Sequence, residues 1–384
     1  MKFLKKFFKW LLITIGLIVV LLYIFDYGYI LRGARIVYFT GHNTAFIDDY
    51  SYFENDVIEK GDTPEPWPNH TSYNKVQETE KLSKVNQDWG TIAYLIIKND
   101  SVWFEKYYDG FDENSKTNSF SMAKSITTTL LGKAIMDGYI ENLNQPISDF
   151  YPQYDYAKTT VGDLASMASG LDWIEHYTSP FSVTARANYD DDLAETILNQ
   201  KVIKTPGVEF EYLSGSTQLL GMIIQKATQK PLANYLSESF WKPMGATNDA
   251  LWQLDDDKNR LAKAFCCISS SARDFARFGK LYKDYGKWNG KQLLDSAFVV
   301  KSITPRFPES PEYGYGWWLY KKNDKNFFMM RGHLGQYVIV EPNDNLIIIR
   351  LGHEKSSDAS RKKPNPFTED IITYIDEAYK MLRE

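Results

Sequence analysis

Residues 121–135 read SMAKSITTTLLGKAI, with Ser121 at the head and Lys124 three positions later. Ile126, Leu130, Leu131, Ala134 and Ile135 distribute apolar side chains all round a helix, the pattern of a buried element. Residues three apart share a helix face, so the Lys124 amine can reach the Ser121 hydroxyl. A serine oxygen becomes a nucleophile once a base takes its proton. Lysine serves as that base when burial depresses its pKa. The helix start adds free N–H groups that favour negative charge. The same pair also fits a plain N-cap followed by a solvated lysine, so these residues alone leave both readings open.

Outward from this helix the chain divides clearly. Upstream, TIAYLIIKNDSVWFEKYYDG at 91–110 reads as two strands around a turn at Asn99 and Asp100. The Ser121 helix is expected to end near Gly138. Downstream, TTVGDLASMASGLDW at 159–173 predicts a short helix with Thr160 and Asp163 as a capping box and Gly170 as its stop. Residues 190–250 read as mainly helical, and SSSARDFARFGKLYKDYG at 269–286 as another helix with a serine cap. The last third changes to strand-like runs: YGYGWWLY, NFFMMRG, QYVIVEP and NLIIIRLG. FTEDIITYIDEAYKMLRE at 367–384 closes the chain as an amphipathic helix. Strands, a helical block, then strands and a helix predict an α+β fold. Its antiparallel sheet is built from both chain ends and carries a helical subdomain.

The N-terminus is of another kind. Lys2, Lys5, Lys6 and Lys9 precede an uncharged apolar run at 10–25, close to the ~20 residues of a bilayer span. A cleaved signal peptide has the same order of parts, but no small-x-small site follows the run. The lysines favour a cytoplasmic N-terminus. The expected organisation is a basic cytoplasmic end at 1–9 and a transmembrane signal anchor at 10–26. A stalk and N-terminal extension at 27–88 follow, with three prolines in DTPEPWPNH. The main domain at 89–384 then lies outside the cytoplasm.

Composition narrows the function. Hydrophobic residues at 43% and charged residues at 24% suit a large globular core, and aromatic residues at 15% suit sheet and aromatic-lined clefts. A net charge of -5 offers no basic surface for nucleic acid. No repeat or low-complexity tract occurs. Cys266 and Cys267 are adjacent, and a bridge between neighbours is geometrically awkward, so two buried thiols are expected. The five histidines are too scattered to supply a metal site, and His42, His70 and His176 have no evident partner.

Two further signals raise the catalytic reading of Ser121. In TPGVEFEYLSGSTQLLGMII at 205–224, Tyr212 follows a Pro-Gly turn and an alternating stretch read as a strand. In MRGHLGQYVIV at 330–340, His333 and Gly335 enter a strand, where glycine admits a substrate backbone to the sheet edge. With these three motifs in order, the sequence resembles the serine beta-lactamase and penicillin-binding-protein superfamily over roughly residues 90–360. It is most similar to the class C-like branch, which holds DD-carboxypeptidases, esterases and 6-aminohexanoate-dimer hydrolases. TTVGDLASMASGLDW and SARDFARFG resemble further stretches of that family. The resemblance implies a beta-lactamase-like fold, with Ser121 as the acylated nucleophile, Lys124 as its base and Tyr212 as a second proton shuttle. It implies an oxyanion hole from the backbone N–H groups of Ser121 and Gln336, with His333 and Gly335 on the substrate edge.

The pattern departs from the strict family form twice. Tyr212-Leu213-Ser214 ends in serine where asparagine is usual, and YLSGST is similar to the form of aminohexanoate-dimer hydrolases. His333-Leu334-Gly335 stands where Lys-Thr-Gly is usual, and a neutral histidine binds a substrate carboxylate less strongly than lysine. Both departures weaken a beta-lactamase reading. Ser214, Trp173, Glu175 and Tyr189 are candidate cleft residues. Trp317 and Trp318 read as sheet core and rim, and His353 as structural. The expectation is a membrane-anchored serine hydrolase that needs no metal or organic cofactor. It would act on a small ester, amide or peptide, including peptidoglycan fragments. Two other classes stay compatible: a binding or sensing module acylated without turnover, and a non-catalytic envelope protein with Ser121 as a cap.

Overall fold

The computed structural model of the chain describes residues 2–357 and 367–383. Thr91–Lys98 (β1) and Ser101–Tyr107 (β2) form the hairpin expected, with Asn99 and Asp100 in the left-handed region at φ 50° and 58°. The late strands are Trp318–Lys322 (β3), Lys325–Gly332 (β4), Gln336–Glu341 (β5) and Leu346–Gly352 (β6). They join the hairpin in one antiparallel sheet of order β2-β1-β6-β5-β4-β3. The two chain ends meet where Leu95 lies opposite Ile349 and Ile97 opposite Ile347.

Alternation along these strands feeds two cores. Leu95, Ile97, Val338, Val340, Ile347 and Ile349 face the main core, which also holds the helices Met122–Met136 and Ala272–Lys283. Tyr94, Ile96, Tyr337, Ile339 and Ile348 face the opposite side, covered by the terminal helix Glu369–Met381. With both faces covered, β6 is buried along its whole length, which is why it reads as a continuous apolar run. The α+β arrangement therefore stands as expected, and the helix Ser214–Thr228 packs across Met122–Met136 on the main-core side.

Several local expectations are corrected. Residues 208–212 form no strand. Their side chains dock on other aromatic rings, Phe210 on Tyr313 at 5.0 Å and Tyr212 on Trp318 at 5.2 Å, while the Glu211 N–H donates to the Met167 carbonyl. The helix opened by the Thr160–Asp163 capping box spans only Val161–Ala165, because Met167 turns the backbone to φ 60° before Gly170 is reached. Cys266 and Cys267 are not free thiols: they form a disulfide, with Cys267 at φ 74° where the chain turns between its neighbours.

Lys2–Ile24 is one continuous helix with no buried residue, and by length and composition it can cross a membrane. A short helix, Gly28–Val37, follows at once and packs on the helix Val183–Tyr189. Farther on, Asn55–Ile58 pairs with Ala250–Gln253 in a smaller sheet, and Ile47, Ile58 and Trp67 enter the main core.

Candidate active site

The site begins with a forced turn. Phe120 holds φ 44°, a left-handed conformation that costs an aromatic residue ~1–3 kcal/mol. Its N–H donates to Asn118 Oδ1 at 2.8 Å, and the Ile268 N–H donates to Ser119 Oγ at 3.1 Å, tying the approach to the smaller sheet. The turn delivers Ser121 to the head of the helix Met122–Met136. There its side chain makes no capping bond.

Lys124 points its amine back at the serine. Nζ donates to Ser121 Oγ at 2.9 Å and to the Phe265 carbonyl at 2.9 Å. The rings of Tyr212 and Phe265 lie 5.1 and 5.6 Å from the same nitrogen. Burial in this apolar setting lowers the lysine pKa to about 8, and the charge of Glu175 only partly opposes the shift.

Tyr212 sits over this pair, its ring braced by Trp318 at 5.2 Å and Tyr313 at 6.1 Å. Burial pushes its phenol pKa up; a hydrogen bond with Ser121 pulls it down, and the Glu175 charge adds to the rise. The phenol therefore keeps its proton at neutral pH. Trp317 is core, against Tyr282 at 4.2 Å, whereas the rim residue Trp318 also frames Tyr212.

Ser214, Trp173 and Glu175 form one cluster beside the tyrosine. Glu175 Oε1 accepts from Ser214 Oγ and Tyr177 OH, each at 2.7 Å. Glu175 Oε2 accepts from the Ser214 N–H and Trp173 Nε1, each at 2.8 Å. This carboxylate thus fixes the start of the helix that follows Tyr212. Tyr189 lies elsewhere on the cavity wall, against Gly33 and stacked with Phe53 at 6.3 Å.

The far wall is the turn His333–Gly335. The His333 ring stands edge-on to Phe120 at 5.6 Å and stacks on Tyr177 at 5.6 Å. That enclosure and the nearby Lys355 lower its pKa to about 4, so the ring is neutral across the ordinary pH range. Gly335, at φ 84°, has no room for a side chain: a Cβ would fall 2.2 Å from Arg350 Nη1. Arg350 is fully buried and donates through Nη1 to the carbonyls of Leu334, Gly335 and Glu354 at 3.0, 2.9 and 2.8 Å. Gln336 is buried next to it, its side chain bonded to both backbone groups of Gly352.

A cavity of about 750 Å³ opens over Ser121, with Ser214 and His333 in its lining. Its remaining walls hold residues that sequence reasoning did not place there. They include the Cys266–Cys267 disulfide, the helix Gly28–Val37, and His42, His176 and His353. His42 stacks on Phe46 at 3.7 Å, and His70, elsewhere, accepts the Ser72 N–H. Tyr177 and Arg350 were also missed. An arginine inside an apolar strand was a usable signal, since such a charge needs buried acceptors.

Comparison with known proteins gives a consistent set of likenesses. The sequence pattern of the family described as Beta-lactamase matches residues 77–371. A 6-aminohexanoate-dimer hydrolase of Paenarthrobacter ureafaciens is 26% identical over 287 residues, 68% of this chain and 72% of that one. Protein flp of Staphylococcus aureus is 25% identical over 301 residues, 69% of this chain but only 59% of that relative's length. Among solved structures, a penicillin binding protein from Bacillus halodurans superposes with a TM-score of 0.61 at 15% identity. That superposition covers 78% of this chain and 99% of that one.

Proposed function

The chain belongs to the Beta-lactamase family and is a beta-lactamase-related serine hydrolase; from that premise we propose that it cleaves an ester or amide through an acyl-enzyme on Ser121. The observation that carries the reading is the 2.9 Å contact between a buried lysine amine, its pKa near 8, and the serine oxygen. Neutral Lys124 takes the Ser121 proton as Oγ attacks the substrate carbonyl carbon. The backbone N–H groups of Ser121 and Gln336 receive the developing oxyanion, a role worth about 10²–10³ in rate per donor. Tyr212, whose burial keeps it protonated, gives its proton to the leaving alcohol or amine. Water then enters, loses a proton to the Lys124–Tyr212 pair and releases the acid. His333 and Gly335 align the substrate at the head of β5.

A neutral His333 favours substrates without a carboxylate at this edge, which points to simple esters and amides over beta-lactams. The apolar helix Lys2–Ile24 supports a single-pass signal anchor, and the four lysines at its start favour a hydrolase body outside the cytoplasm. A fluorophosphonate probe should label the wild type and fail to label Ser121→Ala. Labelling that survives the substitution would remove Ser121 as nucleophile. A stoichiometric burst with no turnover on any ester or amide would instead favour the binding or sensing class.

A further inference from the structure

The wall of the catalytic cavity is partly made by the chain that has just left the anchor. The helix Lys2–Ile24 ends four residues before Gly28–Val37 begins, and Tyr29, Ile30, Ala34 and Val37 of the second helix all line the cavity over Ser121. Ile30 and Ala34 are one helical turn apart and share a face. Even fully extended, the link from Ile24 to Tyr29 spans at most about 18 Å. That length falls within a bilayer's interfacial zone and the layer just outside it.

This junction is pinned to the body. Arg186 of the helix Val183–Tyr189 pairs with Asp26 Oδ2 at 2.6 Å and Asp190 Oδ2 at 2.9 Å. Its guanidinium also lies 4.6 Å over the Tyr29 ring. The rim converges on the same place: Phe181 touches the Tyr27 ring at 5.8 Å, is itself 65% exposed, and follows Ser179 and Pro180 of the cavity lining. Tyr23, exposed in the last turn of the apolar helix, is of the residue type enriched at the headgroup layer.

We propose that the substrate is a membrane-resident amphiphile, an ester or amide whose apolar tail lies along the Ile30–Ala34 face while its carbonyl reaches Ser121. The inference rests on the Ser121 acyl-enzyme and single-pass anchor readings and adds the class of substrate. The mouth of the cavity then faces the layer in which such molecules sit, and the anchor fixes the enzyme's height above them.

The test uses the full-length chain in lipid nanodiscs with p-nitrophenyl butyrate and p-nitrophenyl laurate. Wild type should favour laurate in kcat/KM by at least about tenfold, as apolar pockets discriminate methylenes. Ala34→Asp, which puts a charge in the tail track, should reduce that laurate-to-butyrate ratio by about tenfold. Ala34→Phe, which fills the track without charge, should shift the preference toward shorter chains. A wild type that favours butyrate, or a ratio that neither variant moves, overturns the amphiphile assignment and leaves the serine hydrolase intact. Hydrolysis of both esters that persists in Ser121→Ala overturns the acyl-enzyme reading and the amphiphile with it.

Discussion

Lys124 Nζ stands 2.9 Å from Ser121 Oγ and 2.9 Å from the Phe265 carbonyl, with aromatic rings around the rest of its charge. One neutral acceptor and one hydroxyl offset little of the cost of burying an ammonium, so the amine gives up its proton easily. The proposed base would owe its readiness to accept a proton to where the fold puts it.

That sets the pH dependence. The folded amine loses its proton near pH 8, well below the 10.5 of a free lysine. Below pH 8 it is a cation and cannot accept the serine proton; above it the base is free. kcat/KM should therefore fall about tenfold per unit as pH drops below 8, and level off above. A profile flat from about pH 6 to 10 would exclude Lys124 as the base.

Ser121→Ala should separate chemistry from stability. The side chain makes no capping bond, so its loss should change unfolding free energy by less than the ~1 kcal/mol of a true cap. Steady-state hydrolysis should drop by at least about 10⁴-fold. Chemical denaturation alongside the rate assay reads both. A large stability loss with modest loss of rate would mark Ser121 as structural.

Glu175→Gln tests the carboxylate that accepts from Ser214, Trp173 and Tyr177. The amide presents donors to donors on one side, which should cost about 1–3 kcal/mol. It also removes the negative charge that raises the Lys124 pKa, so the acidic limb of the rate profile should move to lower pH. Movement to higher pH would contradict this electrostatic link.

At the proposed substrate edge, His333 is neutral because it is enclosed by Phe120 and Tyr177 and lies near Lys355. His333→Lys should improve kcat/KM for a carboxylate-bearing substrate such as nitrocefin relative to p-nitrophenyl butyrate, by roughly tenfold. An unchanged ratio would show that this position does not select substrate charge.

Much of this was legible in the chain. The all-round apolar helix after Ser121, the hairpin at Asn99 and the strand runs NFFMMRG, QYVIVEP and NLIIIRLG follow from periodicity and turn chemistry and stand as read, whereas YGYGWWLY becomes strand only from Trp318. The site residues lie far apart in sequence and were grouped by motif, not by pattern. What stayed hidden depends on tertiary contact. Nothing local announces that Phe120 must take φ 44°, or that Tyr177 stacks on His333. The Val208–Tyr212 alternation mimicked a strand because period two also suits an extended chain laid on aromatic rings. Adjacent cysteines gave no sign of pairing, because the turn that permits it is set by the surrounding fold.

Arg350 ties the His333–Gly335 turn to Thr91, whose Oγ1 accepts from Nε at 3.0 Å across 259 residues of sequence. On a ribosome adding about 5–20 residues per second, the first strand waits roughly 13–50 s for its central neighbour. Throughout that interval the helix Met122–Met136 lacks the sheet that should bury it, and the β1 edge is open to wrong partners. The enzyme is thus latent until its final strand arrives.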